Sequence, residues 1–433
     1  MRKFFVLIWV VSLLSGLSLV SAQADAPYLY YYSRMLGGLI IEHPDGSDSR
    51  LIGSDVIPPN LTGISGPGWS PSGKYFAAYG FIYDAYTPKT KGAYLIDLAG
   101  NPVNNFLSNV TTSWMRWLPT DKDLLLVEGT LTPNLSINQP VSFWIVDPST
   151  EQVTADQDGF SAYHTPPKSQ DIFVLLDAEE ASPSGTYEAS GMYPTVLRNR
   201  DTGVAVELPN HSQGTICRSY RWSKREDYLI TINGTLLAGG GCGSAVIGIT
   251  DQAGKLWREL GSCSWDEACA DWLPSQVAAL PPGQPKPIQL DPVAYKPDDF
   301  VGTLYGKEIP DIRLRYDEQG LLDVIDGKSQ EILYQLEGQN YLDRPNDLIR
   351  DRGVQIAFAY DSQHQLLAVY DDGKRYVTLW SMKTSPDKEI LRLNTSGFQL
   401  EFTPDGTQLR ARNTNAWKIY NVSDILAAAG LSE

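Results

Sequence analysis

The side chains best suited to catalysis or metal binding are few and scattered in this chain. Four histidines, His43, His164, His211 and His364, stand far apart, and no H-E-x-x-H or similar metal-ligand spacing joins them. The sequence holds no G-x-S-x-G elbow of the kind that raises a nucleophilic serine above a sheet. Carboxylates are plentiful, but nothing in their spacing selects an acid and base pair from solvated surface charge. Asp156-Gln157-Asp158-Gly159 has part of a calcium-loop spacing without the terminal glutamate, and reads as a surface turn. No metal, cofactor or catalytic residue is therefore assigned, and an enzyme is the less favoured reading.

All four cysteines fall in one stretch, Cys217, Cys242, Cys263 and Cys269. An even count in an exported chain suggests disulfides, although four cysteines permit three connectivities. Proximity favours Cys217–Cys242 and Cys263–Cys269, each stabilising by about 2–4 kcal/mol. No C-x-x-C or paired-histidine pattern supports zinc instead.

Export is itself an expectation from the N-terminus. Arg2 and Lys3 precede an apolar run from Phe4 to Leu14, and Ala22-Gln23-Ala24 offers a small-x-small cleavage site. Residues 1–24 thus read as a signal peptide, with a secreted or periplasmic mature chain from Asp25. No later segment is long and apolar enough to span a bilayer. The formal net charge of -16, from 51 acidic against 35 basic residues, argues against nucleic acid as a partner. The asparagines of Asn-x-Ser/Thr sequons, such as Asn60, Asn233 and Asn394, are read mostly as turn composition.

What must position any site is a repeated unit: an aromatic residue, a tight turn, then an apolar strand. Trp69-Ser70-Pro71-Ser72-Gly73-Lys74-Tyr75 is the clearest copy, and Phe402-Thr403-Pro404-Asp405-Gly406-Thr407 repeats it. Looser copies begin at Trp117, His164, Trp222, Trp272, about Arg315 and Phe358, at intervals of roughly 43 to 58 residues. That interval matches a four-stranded propeller blade. Pro71 pre-sets the turn and Gly73 supplies positive φ. Strands rich in β-branched and aromatic residues, such as Val141 to Asp147 and Tyr376 to Trp380, follow each turn. Helical periodicity is confined to about Asp424 to Ala429.

W-S-P-S-G-K and F-T-P-D-G-T resemble the signature of TolB-type and WD40-like β-propeller repeats. The resemblance covers most of the mature chain, strongly at three or four copies. It implies an all-β propeller and a binding or scaffolding role, with no particular ligand. Residues 25–433 are expected to form a single propeller of seven four-stranded blades, eight being the alternative. A proline-rich insertion or linker is expected at about 274–300, because proline lacks the ladder donor. The N-terminal strands Tyr28 to Tyr32 and Leu39 to Glu42 are expected to pair with the last unit and close the ring.

Loop length points to function. Long loops are expected between second and third strands at Gly80 to Gly92, Gly129 to Pro140 and Asp177 to Gly191, all on one face. They carry Tyr83, Tyr86, Asn134, Asn138, Glu179, Glu180 and Tyr187, a mixture suited to recognition on a rigid scaffold. The expected role is a non-enzymatic module that holds a protein or cell-envelope partner. The alternative is a glycan-active extracellular enzyme using carboxylates at the channel mouth, which rests on fold analogy.

Overall fold

A computed structural model describes residues 26 to 431, apart from 132–141, 156–179, 209–214, 237–241, 298–311, 317–321, 337–355 and interruptions of fewer than five residues elsewhere. The expected signal peptide, the copy at His164, Asp156 to Gly159 and His211 lie outside the described residues.

The chain is built from small antiparallel sheets in meander order. Sheet I contains β1 (Leu29–Tyr32), β2 (Leu39–Glu42) and β3 (Arg50–Ile52), and sheet II contains β4 (Gly63–Trp69), β5 (Tyr75–Asp84) and β6 (Thr87–Asp97). Sheet III is β7 (Val110–Trp117), β8 (Leu125–Leu131), β9 (Ser142–Asp147) and β10 (Gln152–Ala155). Sheet IV is β11 (Glu180–Ala181), β12 (Tyr187–Ser190), β13 (Thr195–Asn199) and β14 (Ala205–Leu208). Sheet V is β15 (Thr215–Trp222), β16 (Tyr228–Leu236), β17 (Cys242–Asp251) and β18 (Trp257–Cys263).

The chain then returns to its own beginning. Strands β19 (Ala270–Trp272) and β20 (Gln284–Pro285) flank sheet I, giving the order β19-β1-β2-β3-β20. Trp272 pairs with Leu29, so the repeat copy that opens at Trp272 is completed by the N-terminal strands. This corrects the expected pairing of those strands with the last unit. Pro285 is confined to the sheet edge, where a missing N–H does least harm. Strand β21 (Ala294–Pro297) joins the last sheet instead. Sheet VI is β22 (Ile312–Tyr316), β23 (Leu322–Asp326) and β24 (Ile332–Leu336), and sheet VII is β25 (Ile356–Asp361), β26 (Leu366–Asp371), β27 (Val377–Ser381) and β28 (Ser385–Leu393). Sheet VIII joins β21 to β29 (Gln399–Phe402), β30 (Gln408–Arg412) and β31 (Ala416–Asn421), before a closing helix α1 (Val422–Ala428).

Shared cores give the spatial order. Ile41 and Tyr30 of sheet I, Phe76 of sheet II and Ile247 of sheet V belong to one buried cluster. A second joins Ala77 and Leu95 of sheet II to Val127 and Trp144 of sheet III. A third joins Leu197 of sheet IV to Leu229 of sheet V. The succession is therefore IV–V–I–II–III. Sheets VI, VII and VIII form a second succession, through Val324 against Val369 and through Leu379 against Leu409.

The repeated turn explains itself atom by atom. Ser70 donates its N–H to the Tyr75 carbonyl at 2.7 Å, and Gly73 donates to the Ser70 carbonyl. The Tyr75 N–H is answered by Ser70 Oγ, a fully buried hydroxyl. Ser182, Ser223 and Thr403 make the same contacts with Tyr187, Tyr228 and Gln408. A buried hydroxyl needs a partner, and in these four copies the turn's own N–H supplies it; in the copies at Trp117 and Trp272 a buried leucine, Leu118 or Leu273, stands there instead. The copy at Ser182-Pro183-Ser184-Gly185 corrects the expected loop over 177–191: that stretch holds β11, the turn and β12. It escaped the sequence pattern because Ala181 replaces the aromatic residue.

Tryptophans tie two of the sheets to the one before. Trp117 Nε1 donates to the Gly68 carbonyl at 3.0 Å, and Trp272 Nε1 donates to the Arg221 carbonyl at 2.8 Å. The acceptor in each case precedes the tryptophan of the previous sheet. Sheet I thus follows sheet V as sheet III follows sheet II.

The two successions meet through polar contacts. Lys418 of β31 and Glu259 of β18 form an ion pair at 2.6 Å, 1% and 9% exposed. Arg392 donates to the Met35 carbonyl and Asn394 to that of Leu260. Arg258, the neighbour of Glu259, faces sheet I instead, where it binds Glu42 Oε1 and the Pro44 carbonyl.

Candidate binding face

In sheets II, III, IV and V the repeated turn joins the first and second strands, so the second-to-third connections emerge at the opposite end. The connections after β5, β8, β12 and β16 share that end. By the same alternation of strand direction, β10 ends and β11 begins at that end.

The β5–β6 hairpin is the longest feature at this end. Pairing with β4 stops at Gly63–Phe81, yet β5 and β6 remain paired through Tyr83–Pro88 to Asp84–Thr87. A two-stranded arm therefore runs beyond its own sheet. The residues Gly80 to Gly92 are mostly strand, where a loop was expected. Glycine at 80 is favoured by crowding: a Cβ there would stand 2.4 Å from Leu61 and 3.0 Å from Tyr94.

Tyr83 lies on this arm. Tyr86, Asn134, Asn138 and Glu179 lie outside the described residues, although the strands that bracket them end on this face. Tyr187 is not brought to it. That residue starts β12 just after the Ser182 turn, at the opposite end, and its ring packs 5.7 Å from Trp222. Tyr187 joins sheet IV to sheet V.

The carboxylates that sequence left unassigned have structural partners. Third strands repeatedly end in Asp or Asn: Asp97, Asp147, Asn199 and Asp251. Asp97 accepts the N–H groups of Ala99 and Asn101, and Asp251 those of Ala253 and Lys255. Asp147 accepts from the Ser149 hydroxyl and N–H, bonds that hold its pKa below the usual carboxylate value. These side chains close the turns to the fourth strands. Sequence reasoning missed this second repeat, whose signal is the recurring D-x-x-G or D-x-x-T after an apolar strand.

Other candidate chemistry is likewise structural. Glu42 is fully buried and receives Arg258, Ser49 Oγ at 2.8 Å and the Tyr31 hydroxyl at 3.3 Å. Burial, then the Glu42 charge, pushes the Tyr31 phenol far up. His43 stacks on Tyr28 with centroids 4.1 Å apart, and His364 Nδ1 lies 2.5 Å from Asp361 Oδ2. Among the described residues no three His, Cys, Asp or Glu side chains come together in a way that could hold a metal ion. Cys269 is buried and disulfide-bonded, while Cys217 and Cys242 lie on β15 and β17, on either side of β16. Among the described residues no helix is long and apolar enough to cross a membrane.

The class these features define is a mostly β protein of many small antiparallel sheets, most of them four-stranded. No protein-family model matches the chain, and no curated protein matches it. Among solved structures the chain is similar to one in "Crystal Structure of Mitotic Checkpoint Complex", at 10% identity over 72% of this chain and 96% of that chain, with a TM-score of 0.19.

Proposed function

We propose that this is an exported β-propeller binding module that holds a protein or cell-envelope partner through the face bearing the second-to-third strand connections. In this reading the five sheets IV–V–I–II–III form the ring, with sheet I as its closing blade. Propellers of four to eight blades are known. Sheets VI–VIII form a smaller group beside it.

The observation that carries the reading is the β5–β6 arm, which continues strand pairing past Phe81 to Asp84–Thr87. A hairpin that outgrows its sheet loses the support of a third strand, and a two-stranded ribbon is marginal alone. Its retention beside tyrosines 83 and 86 suits a recognition element. Tyrosine supplies contact area at low entropic cost and is enriched at interfaces.

The test is capture from the native extracellular fraction by the purified mature chain, with cross-linking and mass spectrometry. Replacing Tyr83 and Tyr86 by alanine should remove the captured partner while leaving the melting temperature within about 1 °C. Tyr187→Ala should do the reverse, lowering stability by about 3 kcal/mol or less while capture persists. Undiminished capture by the Tyr83/Tyr86 variant would refute the assignment of the face.

A further inference from the structure

A cleft of about 740 Å3 opens at the other end of the sheets, between sheets II and III and the segment that follows β19. It is shallow and largely open to solvent, as a surface that receives a segment of another chain is. Tyr75, Leu98, Val103, Leu280, Pro102 and Pro281 supply an apolar lining. Three charged side chains complete it, Lys74 at the start of β5, Asp97 at the end of β6 and Glu151 in the β9–β10 turn.

The charge balance is negative. Asp97 and Glu151 face a single ammonium, and Asp123 and Asp147 lie close enough to act with Asp97 on the Tyr75 phenol, whose pKa is raised first by burial and then by these charges. The chain as a whole carries -16. A concave apolar surface with carboxylates at its rim concentrates cations and favours a ligand that is basic at one point and apolar around it. Neither Asp97 nor Glu151 is spent on an ion pair within 4 Å among the described residues. Asp97 Oδ2 accepts one bond from Asn101 Nδ2 and retains acceptor capacity. Among the described residues the exposed Glu151 side chain has no hydrogen-bond partner, while its carbonyl accepts from Asn104 Nδ2 at 3.1 Å.

We propose that this cleft docks a short extended peptide segment carrying one lysine or arginine between apolar residues. The site is distinct from the loop-bearing face, so it gives the module a second point of contact at the opposite end. Basic charge pairs with Glu151 and Asp97, and the flanking apolar side chains cover Val103, Leu280 and Pro281.

Fluorescence anisotropy with the full mature chain tests it. The probe is a fluorescein-labelled hexapeptide of leucine and proline with one central lysine, and its counterpart carries glutamate at that place. Saturable binding of the lysine peptide is expected, at least tenfold tighter than the glutamate peptide and weakening as salt rises. Glu151→Gly should cut affinity at least fivefold. Glu151 has φ +56, so glycine there relieves backbone strain and the variant should fold. Glu151→Gln supplies a second variant with the same expectation. Tyr83→Ala/Tyr86→Ala should bind the peptide normally, so failure of the loop-face reading is separable from failure of this one. Equal affinity for both peptides, no binding of either, or no effect of both Glu151 variants would overturn the proposal.

Discussion

Replacing Lys418 by methionine is the sharpest perturbation of the junction between the two successions of sheets. Lys418 is 1% exposed and its ammonium lies 2.6 Å from Glu259 Oε2. At that distance the attraction is about 6 kcal/mol for an effective dielectric of ~20. Desolvating two ions costs several kcal/mol each, so the pair as a whole should be close to neutral. The contact is also an ion pair without aligned hydrogen-bond geometry, which further limits its net worth. Removing one partner is different, because the carboxylate stays buried and loses the ammonium that faces it. Lys418→Met alone should therefore lose about 3–5 kcal/mol. The double variant Lys418→Met/Glu259→Leu should return to within about 1 kcal/mol of the parent, or exceed it. Urea unfolding followed by tryptophan fluorescence reads both. The reasoning fails if the single variant loses less than about 1 kcal/mol, or if the double variant is as unstable as the single one.

Two further outcomes follow from the turns. Gly73 and Gly185 occupy the same turn position at φ +74 and +78, but only Gly73 faces a neighbour, with Val277 2.6 Å from where a Cβ would stand. Gly185→Ala should cost about 1–2 kcal/mol for the left-handed backbone alone, and Gly73→Ala at least about 1 kcal/mol more by the same unfolding assay; equal losses would contradict the packing argument. Asp405 accepts from the Thr403 and Thr407 hydroxyls and the Thr407 N–H, which lower its pKa from 3.8 to about 2. Because the folded value lies below the unfolded one, its stabilising contribution is complete above about pH 4 and is lost as pH falls towards 2. A carboxyl NMR titration should find that midpoint, and Thr407→Val should move it upward.

The parts of the fold legible in sequence are those where a local physical demand fixes residue type. A buried turn hydroxyl demands serine or threonine, and a positive φ favours glycine, so Trp69 to Tyr75 and Phe402 to Thr407 announce themselves. The copy at Ser182 keeps both signals and loses only the aromatic residue, and insisting on that residue hid it. The β5–β6 arm was mistaken for a loop because Thr87 to Gly92 lacks apolar alternation, while pairing to β5 needs only backbone. Partnership between Leu29 and Trp272 could not be read at all, since strand pairing leaves no mark on residues so far apart. The cleft was invisible for a related reason: Lys74, Asp97, Glu151 and Leu280 come from four separate turns.

That pairing of Leu29 with Trp272 sets a timetable for the chain as it is made. Sheets II, III, IV and V each complete themselves from consecutive residues and can fold in order as they emerge. Strands β1 to β3 cannot, because β19, the partner of β1, appears only after sheets II to V are complete. Strands β1 and β2 are made before sheets II to V yet find their partner after them, and Tyr30, Tyr31, Ile40 and Ile41, all buried in the folded chain, stay uncovered until then. Contacts at such sequence separation form slowly. The aggregation risk of this protein is thus concentrated at its start, in the interval before residue 272 arrives to shelter it.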